Sequence, residues 1–154
     1  MNVLAYSLTG MLFVSSTHTA QEASKQPNLG QLTWAAFSCA TWAEWSGNSA
    51  EQKRLFSIGY ASGARLVERV KDGTLTEAER KGLPIGIRGL FGGPSVDFVV
   101  GRMFEHVSEY AFDKVVKESN DGAPILDPSK WADDELRNLR AADKFRSSNC
   151  ALIK

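Results

Sequence analysis

From Leu32 to Trp45 nearly every position is apolar or small, and Glu44 carries the sole charge. A helix that is apolar on almost all sides is a buried one, so this segment is expected at the centre of the fold. Its tryptophans, Trp34, Trp42 and Trp45, suit core packing, with stacking on a sugar or a peptide as the sharper alternative. Gly47-Asn48 interrupts the run, and Ser49 followed by Gln52 has the form of a capping box. A second helix is then expected from Ala50 to Lys71, with Leu55, Ile58, Ser62, Leu66 and Val70 on one stripe. Gly59 and Gly63 fall on that stripe, where bare backbone admits the close approach of another helix or of a ligand. Asp72-Gly73 ends the helix.

Thr76 to Glu79 forms another capping box and opens a short helix that stops near Gly82. Leu83–Pro94 (LPIGIRGLFGGP) has no helical period and is dense in glycine, proline and large apolar residues. Ser95 caps a further helix through Val96, Val99, Val100, Met103, Val107 and Val115. After a polar loop from Ser119, Asp127 with Pro128 at the first helical position predicts a last helix to Arg146. Ala132, Leu136, Leu139 and Phe145 are expected on its inner face. No segment alternates with period two. The expectation is an all-α, single-domain bundle of four to five helices.

Charge changes the picture at the N-terminus. Lys+Arg and Asp+Glu number 18 each, for a net charge of zero, and every one of them lies after Ala20. A neutral chain lacks the positive excess that nucleic acid or an anionic membrane surface selects, so neither is an expected partner. The uncharged start, with apolar Val3–Tyr6 and Met11–Val14 and then small residues up to Ala20, reads as a secretory signal peptide over 1–20. A packed N-terminal helix and a membrane anchor are the alternatives. Residues 21–30 are polar and read as a flexible mature N-terminus, leaving 31–154 as the helical domain, with no membrane span once the leader is removed. Export to the periplasm or beyond gives the two cysteines a meaning: Cys39 and Cys150 are expected to form one long-range disulfide. In a cytosolic chain they would instead be two buried thiols.

Chemistry is sparse. The glycine-rich stretch before Ser95 lacks the strand and the Lys-Ser/Thr of a phosphate loop. Arg102, Glu105, His106, Glu109 and Asp113 form one charged helix face, which is expected to be solvated rather than catalytic. His106 is the only histidine after the leader, so no Ser-His-Asp or Cys-His set and no zinc set can be read. No catalytic residue, metal or cofactor is expected, and the chain is read as a non-enzyme. A protein partner is expected instead, at Arg88, Leu90 and Phe91 with the start of the following helix. Phe91 alone could equally plug the core.

The aromatic first helix bearing Cys39, the Gly59-Tyr60…Gly63 helix and the terminal Asn149-Cys150-Ala151-Leu152 form an outline over residues 33–152. It resembles the small exported two-cysteine helical proteins of proteobacteria. These are the type VI secretion immunity proteins of the Rap/Tai kind and, more distantly, the HdeA group of acid-stress chaperones. Leu83–Pro94 and the charged fourth helix have no counterpart in that outline. The resemblance implies a binding or inhibitory protein of the envelope, an immunity protein against an envelope-targeting effector. An acid-stress chaperone and a small envelope enzyme are the alternatives, and a homodimer is compatible with each.

Overall fold

The computed structural model describes residues 28–154; the expected signal peptide lies outside the described residues, as do positions 21–27. Among the described residues five α-helices form: α1 (Leu29–Trp45), α2 (Ser49–Lys71), α3 (Glu77–Lys81), α4 (Val96–Val116) and α5 (Asp134–Ser147). The all-α expectation holds, and no β-strand forms among the described residues. Short 3-10 turns at Ile85–Ile87, Pro128–Lys130 and Cys150–Leu152 complete the chain.

Helix α1 is the central element, packed against α2, α4 and α5. Its residues from Ala36 to Ala43 are all buried, as an all-round apolar helix requires. The helix starts at Leu29 rather than Leu32, because the Asn28 side chain accepts from the Gly30 amide at 2.9 Å and donates to the Glu79 carbonyl at 3.0 Å. Leu29 and Gly30, expected in the polar N-terminal stretch, are therefore its first turn. Trp42 is buried, and its indole N–H donates to the Ala111 carbonyl of α4. Trp34 and Trp45 are half-buried.

Helix α2 crosses α1 through the paired glycines. A β-carbon on Gly59 would stand 2.4 Å from the Phe37 ring, and one on Gly63 would stand 3.3 Å from Thr33. Close helix approach is thus the reason for both. The cap of α2 is Asn48, whose side chain accepts from the Glu51 amide, and not Ser49. The predicted capping box of α3 forms in full between Thr76 and Glu79, and Ser95 caps α4 as expected.

The last helix departs most from expectation. Asp127 and Pro128 open only the 3-10 turn, and α5 begins at Asp134 under an Asp133 cap. Between them Trp131 is extended, its indole bonded to the Ile125 carbonyl, which breaks helical continuity. Leu136 and Leu139 point to solvent, at 41% and 61% exposure, and Ala141 is the buried residue instead. The orientation is set by polar anchors: Arg140 donates to the Val115 and Glu118 carbonyls at the end of α4. Such bonds satisfy carbonyls that a helix terminus leaves open.

Cys39 and Cys150 are bonded, with a Cα–Cα distance of 5.6 Å across 111 residues of sequence, and both are buried. The core has two lobes. One gathers Phe37, Leu66, Ile87, Val100 and Met103; the other gathers Trp42, Leu55, Ala111 and Val115 around the disulfide.

Candidate protein-binding surface

Leu83–Pro94 folds over the first lobe of the core. Leu83 and Ile87 are buried there, and Leu90 and Phe91 pack half-buried against the same cluster. Arg88 is exposed, but its guanidinium turns back, donating to the Leu83 carbonyl at 2.9 Å and the Lys81 carbonyl at 2.8 Å. Of the three expected contact residues, one is a brace and two are partly core.

The connection leads into a surface that sequence periodicity does not reveal. Phe98, on the first turn of α4, is 48% exposed, and on α2 Tyr60 is 39% and Phe56 40% exposed. The Tyr60 hydroxyl donates to Asp97, joining the helices at this point. That bond, helped by the carboxylate charge, pushes the phenol pKa up from its ordinary value. Phe56 stands edge-on to Phe104 at 5.1 Å and stacks with Tyr60 at 6.4 Å between centroids. Beneath them Phe37, fully buried, touches Phe56 at 5.8 Å and Phe104 at 5.2 Å. An unbroken series of rings thus runs from the core to solvent. Arg102 lies 5.9 Å from the Phe98 ring centre and donates to the Gly92 carbonyl, tying this surface to the connection.

The charged face of α4 is divided among different neighbours. Asp113 pairs with Lys117 at 2.8 Å, and His106 turns to the edge of Trp34 at 6.3 Å. Glu105 and Glu109 are exposed, and neither belongs to an ion pair among the described residues. Among the described residues no group of three His, Cys, Asp or Glu side chains is placed to hold a metal ion.

Two clefts also lie on the surface, each lined by polar and apolar groups alike. One of about 830 Å³ lies between α1 and α3, where Arg69 and Glu79 pair across its wall. The other, of about 390 Å³, lies between the loop after α4 and α5 and contains the Lys114–Glu118 pair. Each cleft thus contains one formed ion pair, whereas the aromatic surface leaves large apolar groups facing water. No described helix is long and apolar enough to cross a membrane. Comparison of the chain with family models, with curated proteins and with solved structures finds no match.

Proposed function

We propose that this chain is an exported, non-enzymatic binding protein of the periplasm that inhibits a cell-envelope-targeting effector, as an immunity protein does. The observation that carries the reading is the exposed pair of rings Tyr60 and Phe56 on α2, linked through Phe104 to the buried Phe37, with Phe98 exposed on the first turn of α4. Contiguous apolar surface on a rigid scaffold is what a protein interface requires, and aromatic side chains are its usual anchors. The Cys39–Cys150 bond suits an oxidising compartment and holds the scaffold rigid without a cofactor. Acid-triggered opening, which the chaperone reading needs, is opposed by several carboxyls. Arg54 holds that of Glu51 below its ordinary range, and Arg69 does the same for Glu79, so these links persist into mild acid.

The test is a photo-crosslinking amino acid placed at Phe98 in cells that express the full chain, with Glu68 as a control position. The expected result is a product specific to Phe98 that contains a secreted cell-wall hydrolase. Equal products at both positions, or none at either, overturn the reading.

A further inference from the structure

The disulfide is enclosed, yet little holds down the turn that carries one of its sulfurs. Cys39 is 2% exposed and Cys150 not at all, so a thiol in solution reaches neither in the closed fold. Cys150 opens the 3-10 turn Cys150–Leu152, which packs on α1 and α5. The amides of Leu152 and Ile153 donate to the Asn149 and Cys150 carbonyls, within the same short segment. Ala151 and Leu152 face water, and from this segment Cys150 and the half-buried Ile153 reach the second lobe of the core. The first lobe contains none of its residues.

Among the described residues, the one side chain that bonds this turn from another helix is Arg54 of α2. Its guanidinium donates to the Cys150 carbonyl at 3.2 Å and to that of Ile153. Glu51 holds the guanidinium in place, accepting from its Nε at 2.9 Å and from its Nη2 at 2.6 Å. The donors are therefore oriented before they meet the carbonyls. On the other side of Cys150, Asn149 stands at φ +54°, the only non-glycine residue with positive φ among the described residues. A left-handed residue outside glycine is kept there by its surroundings and relaxes when they let go. Asn149 is thus a hinge, and Arg54 a bolt.

Proteins open locally in units smaller than the whole, and segments with few apolar contacts open first. We propose that Cys150–Ile153 is a latch over the disulfide. Released from Arg54, it swings at Asn149 and exposes the Cys39–Cys150 bond to thiol exchange while the helices stay folded. The reductant is a dithiol. One of its thiolates attacks Sγ of Cys150, the S–S bond breaks, and the electron pair leaves on Cys39, which takes up a proton. The second thiol of the reductant, as its thiolate, then displaces Cys150 from the mixed disulfide, and Cys150 takes up a proton in turn. The reductant ends as its own disulfide and the protein as two thiols. This device is independent of what the aromatic surface binds.

The experiment reduces the full-length, oxidised protein with dithiothreitol in native buffer, traps thiols with iodoacetamide over time and follows helicity by circular dichroism. Both thiols are expected to appear while the helical signal is retained. Urea speeds an opening in proportion to the surface exposed, so the logarithm of the reduction rate should rise with urea at less than about half the slope of global unfolding. Arg54→Gln is expected to speed reduction ~10–100-fold, as the loss of charged hydrogen bonds implies. Glu51→Gln, which leaves Arg54 present but unoriented, should speed it ~3-fold. Gly59→Ala, which loosens the other lobe, should change it less than ~2-fold. A urea slope equal to that of global unfolding overturns the latch, as does a bond that resists reduction until urea unfolds the chain. An Arg54→Gln protein reduced no faster than Gly59→Ala also overturns it. The urea slope is read on the wild-type chain, so it decides the question even where a variant fails to fold.

Discussion

The guanidinium of Arg54, on α2, donates to the carbonyl of Cys150 at 3.2 Å, so the residue that closes the disulfide is also held from the opposite helix. Cys150 is thus fixed twice, by a covalent bond to α1 and by a charged hydrogen bond to α2. Closing a loop of this length removes about 4–5 kcal/mol of chain entropy from the unfolded state, before any strain is subtracted. Total stabilities run from about 5 to 15 kcal/mol, so the bond is a large share. Joint Cys39→Ala and Cys150→Ala substitution is expected to lower unfolding stability by about 2–5 kcal/mol with helical content retained. Urea titration followed by circular dichroism measures this, and an unchanged midpoint would contradict it.

Two glycines of the same bundle are expected to respond to alanine in opposite directions. At Gly59 the new methyl would overlap the ring of Phe37, which has no exposed side to move towards. Overpacking of that kind costs about 1–3 kcal/mol, more than the roughly 1 kcal/mol gained from helix propensity. At Gly101 there is no overlap, and alanine should add about 0.5–1 kcal/mol. Thermal melts of Gly59→Ala and Gly101→Ala should therefore fall on either side of wild type. A stabilising Gly59→Ala would mean that α1 and α2 can separate at little cost.

The acid limb of stability should contain a contribution from Glu79. Its carboxyl sits at about 2, against an ordinary 4.5, chiefly because Arg69 bonds the ionised form and secondarily because the Thr76 hydroxyl and amide do. A carboxyl whose folded pKa is depressed adds stability above its unfolded pKa and loses it as pH falls towards the folded one. The loss at this residue thus occurs from about 4.5 down to about 2. Glu79→Gln should flatten the melting-temperature profile in that window and leave the slope above pH 5 unchanged. A mutant profile parallel to wild type throughout would show that the Arg69–Glu79 pair contributes nothing to stability.

The differences between expectation and structure have local causes. Ser95, Thr76 and the two cysteines act through chemistry that a sequence displays directly, and each does what its neighbours predict. Asp127-Pro128 is as good a helix start on paper as Asp133-Asp134, and the choice between them is made by the Trp131 indole bonding back to the Ile125 carbonyl. Leu136 and Leu139 look like core until Arg140, reaching the last carbonyls of α4, rotates the helix and faces them outward. Phe56 and Tyr60 lie off the Leu55–Leu66 stripe, and periodicity places them in water. That placement is correct, but only the packing of α2 against α4 brings Phe56 beside Phe104 and Tyr60 onto Asp97.

Phe91 and Phe98 lie seven residues apart, on either side of Ser95, and they separate a core role from a surface role. Phe91 is half-buried against the cluster around Phe37, whereas Phe98 is 48% exposed and lies against Gly93 and the Arg102 guanidinium. Truncating a fully buried phenylalanine costs about 3–5 kcal/mol, so Phe91→Ala, with part of its ring already wet, should cost roughly 1.5–3 kcal/mol. Phe98→Ala removes area that was mostly in water and should stay within about 0.5–1 kcal/mol of wild type. Capture of a partner should respond in the reverse order, with Phe98→Ala abolishing the pull-down that Phe91→Ala leaves intact in the folded fraction. Arg88→Ala belongs with Phe91 on this scale, because its guanidinium holds the Leu83 and Lys81 carbonyls rather than facing outward. Parallel melting curves and binding measurements on the three variants decide the matter. Strong loss of binding by Phe91→Ala or Arg88→Ala at unchanged melting temperature would move the interface back onto the connection.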